Sequence, residues 1–164
     1  MKTRSLLAAG GLLVALAATR VAAIEQRPLP VFHVTTADGS LVSSAQFNPS
    51  GQWLLIYVAP GSPSCDRLLV ALKGWVSPNL LERTVIVVGG STDGAQAYLA
   101  KALPPEVGAI AWYADPQDEA WAALRLTGAP VLVGVKEKTI QWSISGVLND
   151  PKVLESAVRT WVGQ

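Results

Sequence analysis

The chain reads Tyr57-Val58-Ala59-Pro60-Gly61-Ser62-Pro63-Ser64-Cys65 at the point that decides its fold. The run 53–58 is almost continuously apolar, which is typical of a central strand buried on both faces. Two prolines and a glycine then end this strand. Apolar residues recur at helical spacing over 64–75, so we expect Cys65, the only cysteine, in the first turn of a helix.

Strands and helices alternate outward from this junction. Residues 31–35 and 41–47 are typical of an antiparallel ribbon around the turn Asp38-Gly39. Further strands are predicted at 84–88 and 110–113, and further helices at 93–103 and 116–126, the last opened by Asp115 and Pro116. A hairpin of 131–135 and 139–144 precedes a closing helix over 151–162, which Asp150 caps.

This order of elements resembles the thioredoxin fold, and within it the periplasmic TlpA/ResA-type (redoxin) branch, over residues 31–162. The resemblance rests on the ribbon and strand up to residue 58, on Ser62-Pro63-Ser64-Cys65 at the head of a helix, and on Thr127-Gly128-Ala129-Pro130 before a strand. It implies a three-layer α/β/α fold with a central mixed sheet and an N-terminal β-ribbon.

The resemblance also assigns residues to a binding groove. It places Pro130 as the cis-proline that faces the active site and lines the groove where a partner's extended backbone docks. The residues that would contact such a partner are Gly61, Pro63, Ser64, Ala129 and Pro130. A proline at the first position of a strand is also compatible with no function, because that position can lack an N–H.

One of the two sulfurs of the family's Cys-x-x-Cys site is missing. Ser62 replaces the first, nucleophilic cysteine and only Cys65 remains. A serine hydroxyl stays protonated near neutral pH without a base and forms no disulfide, so a complete dithiol cycle is excluded. The buried carboxylate that ResA-type proteins carry one helical turn after the second cysteine is also replaced, by Leu68. Any remaining enzyme activity would be that of a monothiol.

Two interpretations of Cys65 stay open. The thiol is either reactive, favoured as thiolate by the helix terminus and by Arg67, or it is a small buried filler of the core. The first interpretation predicts thiol-linked binding, or redox assistance, to an exported protein or small-thiol partner, with a Cys65-linked dimer as an alternative to a monomer. The second predicts a non-catalytic module that binds peptides or proteins.

Peroxidase and metal chemistry are weaker alternatives. Ser62 to Cys65 fits the Ser-x-x-Cys part of the peroxiredoxin motif, with Arg125 as the remote arginine, but Val58 stands where that motif has a proline. The sequence has one histidine, His33, and its one methionine is the first residue. We therefore expect no metal and no cofactor.

The first 23 residues are typical of a secretory signal peptide, with Lys2 and Arg4 before an apolar run and small residues at its end. An uncleaved leader would tether the protein to the membrane. The prediction is an exported, periplasmic protein with a linker over 24–30 and one thioredoxin-like domain over 31–164. Removal of the leader changes the balance from 13 basic and 12 acidic residues to 10 and 12, a formal net charge of −2. A negative net charge does not favour binding to nucleic acid.

Overall fold

The computed structural model describes residues 23–47, 51–146 and 151–163. Within these ranges lie eight β-strands and five α-helices. The strands are β1 (Ala23–Pro28), β2 (His33–Thr35), β3 (Leu41–Ser43), β4 (Gln52–Val58), β5 (Thr84–Gly89), β6 (Ala111–Asp115), β7 (Val131–Lys136) and β8 (Thr139–Ser145). The helices are α1 (Pro63–Trp75), α2 (Pro78–Glu82), α3 (Thr92–Ala102), α4 (Glu119–Ala123) and α5 (Pro151–Val162). Residues 1–22 of the leader and the cap Asp150 lie outside the described residues.

All eight strands form one mixed sheet in the order β1-β8-β7-β4-β5-β6-β2-β3. Strands β4, β5 and β6 are parallel, whereas β7 runs antiparallel to β4. The central strand β4 is buried along its length after Gln52, as its apolar sequence predicts. The ribbon of β2 and β3 closes one edge of the sheet, and β1 closes the other.

Two apolar clusters cover the two faces of the sheet. One cluster joins the inward side chains of α1, α3 and α5 to Leu54, Ile56 and Val58. The other joins α4 and the start of the ribbon to Leu55 and Tyr57. The alternation along β4 therefore separates the two layers, and the predicted three-layer α/β/α arrangement is confirmed.

Several stretches differ from the sequence-based prediction. The strand predicted over 41–47 ends at Ser43 and is followed by a short 3-10 helix, Ser44–Gln46, and α2 was not predicted. Residues 24–30 were expected to be a linker, yet β1 pairs antiparallel with β8 and Pro28 lies opposite Thr139. Proline is tolerated on an edge strand because one row of N–H groups there has no partner strand. The helix predicted over 116–126 is only Glu119–Ala123, because Asp118 and Arg125 adopt left-handed φ angles of 55° and 56° that end it on both sides.

Asp115 still acts on α4, although it belongs to strand β6. Its side chain is fully buried and accepts hydrogen bonds from the N–H groups of Ala120 (3.2 Å) and Trp121 (3.0 Å) and from the Tyr57 hydroxyl (3.2 Å). One carboxylate thus ties the short helix to the central strand. No helix in the described part of the chain is both long and apolar enough to cross a membrane.

Candidate functional site

A tight turn joins β4 to the helix that carries the cysteine. The Ser62 N–H donates to the Ala59 carbonyl at 3.3 Å, which closes a four-residue turn with Pro60 and Gly61 at its centre. Gly61 has a φ of 81°, and this pairing of proline and glycine is typical of a type II turn, whose third residue needs a positive φ. The glycine is therefore required by the sharp entry into α1.

Helix α1 starts at Pro63, directly after this turn. Ser62 is the N-cap residue, and its carbonyl accepts the N–H groups of Cys65 (2.9 Å) and Asp66 (3.1 Å). The Ser62 hydroxyl makes no capping hydrogen bond, and its side chain is half-buried. The oxygen that replaces the family's nucleophilic sulfur therefore lies at the helix start, and no base among the described residues is in hydrogen-bond contact with it.

Cys65 is fully buried. Its relative exposure is 0%, and it packs in the same apolar cluster as Leu68 and Leu69. The Ala59 N–H donates to its sulfur at 3.4 Å. An attack on an external disulfide needs an accessible thiolate, so the folded conformation favours the interpretation of Cys65 as a buried filler.

The charged neighbours of Cys65 on α1 are directed to other partners. The Arg67 guanidinium, suggested above as a neighbour of the thiol, donates through Nη2 to Ser64 Oγ at 3.0 Å. Asp66 accepts a 2.9 Å hydrogen bond from the Tyr98 hydroxyl on α3. Burial, and then this bond to a carboxylate, raise the pKa of Tyr98 above its usual value. Local sequence gave no signal for this link, because the two residues are far apart in the chain.

The loop before β7 lies beside the cysteine turn. Register pairs Tyr57 with Val131, so Pro130 occupies the next position along, next to the end of β4. The Ala129–Pro130 peptide bond is cis, Pro130 is buried, and its carbonyl accepts the Gly146 N–H at 2.7 Å. The sheet therefore brings the residue implied to be the cis-proline to the same end as the turn that leads to Cys65.

The residues assigned to the groove differ in exposure. Gly61 and Pro63 are exposed, while Ser64 and Ala129 are half-buried. Among the described residues, the backbone N–H and C=O groups of 127–129 have no hydrogen-bond partner. Of the five residues that the resemblance assigns to the groove, Gly61 lies in the turn, Pro63 and Ser64 are the first residues of α1, and Ala129 and Pro130 lie on the loop before β7. This loop offers main-chain donors and acceptors without a partner among the described residues.

Arg125 does not reach the cysteine. It lines a cavity with Val131 and Val133, whose side chains belong to the cluster on the opposite face of the sheet from Cys65. This placement removes the arginine that the peroxidase alternative needs. His33 is bound through Nδ1 to Glu119 Oε2 at 3.1 Å, and no three His, Cys, Asp or Glu side chains of the described ranges come together as a metal site.

The fold has many counterparts among solved structures. A secreted Mycobacterium tuberculosis disulfide oxidoreductase homologous to E. coli DsbE superimposes with a TM-score of 0.62 at 16% identity, over 79% of this chain and 95% of that one. A Chlorobium tepidum structure described as the thiol:disulfide interchange protein DsbE superimposes with a TM-score of 0.66 at 15% identity, over 84% of this chain and 97% of that one. StoA from Bacillus subtilis superimposes with a TM-score of 0.55 at 15% identity, over 78% of this chain and 96% of that one. No protein-family model and no curated protein sequence matches the chain.

Proposed function

Because this chain has the thioredoxin-like fold of DsbE- and StoA-type proteins, as the resemblance implied, we propose that it is an exported binding module without a dithiol cycle. The module holds an extended segment of a partner protein in the groove between the turn 60–64 and the loop 127–130. Fold alone does not select this function, since one fold carries many activities. The argument depends on the groove itself.

The observation that carries the proposal is the unpaired backbone of residues 127–129. Main-chain groups that lack a protein partner form a ready-made edge to which an extended peptide adds as a strand. Pro130 cannot donate, and its carbonyl is already paired with Gly146. The free main-chain groups are therefore confined to residues 127–129, directly before Pro130. Only a short stretch of a docked peptide can pair with them.

The burial of Cys65 favours this function over thiol-linked capture. A mixed disulfide at a residue with 0% exposure first requires an opening around the start of α1, at the cost of the apolar contacts of Cys65. Backbone docking on the exposed loop needs no such opening. We therefore place the non-covalent interaction ahead of the thiol-linked one.

Export is part of the proposal and is tested through the leader. Residues 1–30 fused to a phosphatase that is active only outside the cytoplasm are expected to give activity. Leu13→Arg, which interrupts the apolar run, is the matched control and is expected to abolish it. Equal activity of the two fusions, or none in either, would remove export from the proposal.

The binding proposal is tested with random seven-residue peptides displayed on phage and selected on the folded domain. For an enriched peptide, fluorescence anisotropy gives the Kd and amide NMR shifts locate the contact. We expect the largest shifts at 127–129. Ser62→Arg should weaken binding at least about tenfold by covering the groove, whereas Gln96→Arg, on the exposed side of α3, should not.

Two further measurements separate backbone docking from thiol chemistry. Methylation of alternate peptide nitrogens should abolish binding in one register and leave the other unchanged, since only alternate N–H groups face the added strand. Cys65→Ala should keep the parent Kd. Loss of binding in Cys65→Ala, with a covalent adduct in non-reducing mass spectrometry, would replace the proposal by thiol-linked capture, and a failure to enrich any peptide would count against both.

A further inference from the structure

The C-terminal end of α1 is held by contacts from two other parts of the chain. Lys73 Nζ lies 2.8 Å from Glu106 Oε1, in the segment that follows α3. The Gly74 carbonyl accepts a hydrogen bond from Arg159 Nη2 on α5 at 2.7 Å. Trp75, the last residue of the helix, is buried. Two polar contacts therefore hold this end of the helix in addition to its apolar packing.

The first turn of α1 has fewer polar contacts. Its N-cap residue, Ser62, makes no side-chain hydrogen bond to the helix, whereas Ser77 and Ser91 cap α2 and α3 through their hydroxyls. A side-chain cap stabilises a helix start because it satisfies a backbone N–H that has no partner within the helix. Among the described residues, one hydrogen bond joins this first turn to another helix: the Tyr98 hydroxyl on α3 donates to Asp66 Oδ1 at 2.9 Å.

The apolar packing of the first turn comes from one residue. Of the five buried residues of α1, Cys65 belongs to the first turn, and the other four begin at Leu68. Helix α3 contributes two buried residues, Ala95 and Leu99, to the same cluster, and Tyr98 is half-buried against it. An opening confined to the first turn therefore leaves most of the apolar face of α1 in place.

We propose that the first turn of α1 opens separately from the rest of the domain, and that the hydrogen bond between Tyr98 and Asp66 is the latch that keeps it closed. Opening at a helix end costs less free energy than global unfolding, because it breaks fewer contacts. Release of the latch separates this turn from α3 and gives Cys65 a route to solvent while the sheet stays folded. The latch does not depend on peptide binding in the groove, so either can fail while the other stands.

Iodoacetamide labelling of the full chain measures the opening, because Cys65 is the only cysteine. Tyr98→Phe removes the latch and keeps the ring, so it should speed labelling about fivefold. Tyr57→Phe is the matched control, since its hydroxyl also donates to a carboxylate, that of Asp115, but on the opposite face of the sheet. This control should speed labelling less than about twofold, although it should lower the global stability at least as much. Urea below the unfolding transition should change the rate little, because a local opening exposes little surface.

Two further measurements test the latch without relying on one variant. Asp66→Ala should also speed labelling about fivefold, and the double variant with Tyr98→Phe should be no faster, because both changes remove the same bond. Amide hydrogen exchange reports the opening without thiol chemistry. The N–H groups of Cys65 and Asp66, which both donate to the Ser62 carbonyl, should exchange faster in Tyr98→Phe, whereas the Leu72 N–H should not.

Three results would overturn the proposal. Equal acceleration by Tyr98→Phe and Tyr57→Phe, with a rate that rises with urea as global unfolding does, would show that Cys65 is reached only through global unfolding. An unchanged labelling rate in Tyr98→Phe would show that the hydrogen bond does not hold the turn. Additive effects in the double variant would show that Tyr98 and Asp66 act independently. A failure to select peptides on the groove would leave the latch unaffected.

Discussion

Replacement of Asp115 by alanine tests the link between the central strand and α4. The carboxylate has 0% exposure and accepts three hydrogen bonds, from the Tyr57 hydroxyl and from the N–H groups of Ala120 and Trp121. A buried donor left without a partner costs about 1–3 kcal/mol. Because the Trp121 N–H is only partly buried, two donors carry most of the loss, and we expect about 3 kcal/mol in the free energy of unfolding.

Tyr57→Phe separates the contribution of the Tyr57 hydroxyl to the free energy of unfolding from that of the two backbone N–H groups that bind Asp115. The Tyr57 side chain is buried, and removal of its hydroxyl leaves the carboxylate with two of its three donors, so this variant should lose about 1 kcal/mol. In the double variant with Asp115→Ala no hydroxyl is left unpaired. The combined loss should therefore be smaller than the sum of the single losses by about 1 kcal/mol.

Urea unfolding followed by tryptophan fluorescence measures all four proteins of this cycle. Asp93→Ala is the matched control, since Asp93 is exposed in the first turn of α3 and should contribute less than about 1 kcal/mol. An Asp115→Ala loss no larger than the Asp93→Ala loss would refute the argument. So would additive losses in the cycle, because they would mean that the hydroxyl and the carboxylate do not interact.

Three further predictions follow from single contacts. Cys65 should react with iodoacetamide at least about 1,000-fold more slowly in the folded domain than in denaturant, and a slowing of less than tenfold would show an accessible thiol. The His33 backbone N–H, and then its ring, lower the pKa of Glu119, so the stability from this carboxylate is present above its usual value of 4.5 and is lost as the pH falls below it. Glu119→Gln should therefore flatten the loss of stability between about pH 5 and 3, and an unchanged acid profile would contradict this. Gly134→Ala should cost about 1–3 kcal/mol and perturb near-UV circular dichroism, because the added Cβ overlaps the Trp142 ring, and an unchanged spectrum would show that the ring moves freely.

Elements with a clear period were predicted correctly from the sequence. The apolar run into β4 and the helical spacing after Pro63 set β4 and α1 to within one residue, because hydrophobic period is a local property. The prediction for α4 was too long, since apolar spacing does not reveal the left-handed backbone at Asp118 and Arg125. The segment 24–30 was assigned to a linker because its two prolines argue against a strand. It forms the edge strand β1 by pairing with β8, which follows more than 100 residues later in the chain.

The sequence by itself determined that no internal disulfide can form, because covalent chemistry depends on residue identity and Ser62 has no sulfur. The resemblance, and not local turn chemistry, assigned the turn 60–64 and the loop 127–130 to a partner-binding groove, and the register of β4 with β7 places both at the same end of the sheet. Only the tertiary structure decided that Cys65 is buried, because it belongs to an apolar cluster that joins α1 to the sheet, α3 and α5. The pair Tyr98–Asp66 and the cavity that Arg125 lines with Val131 and Val133 were likewise decided by tertiary structure. Residues distant in sequence are brought together by the closing of the sheet, and burial, charge and open volume are properties of that closed packing.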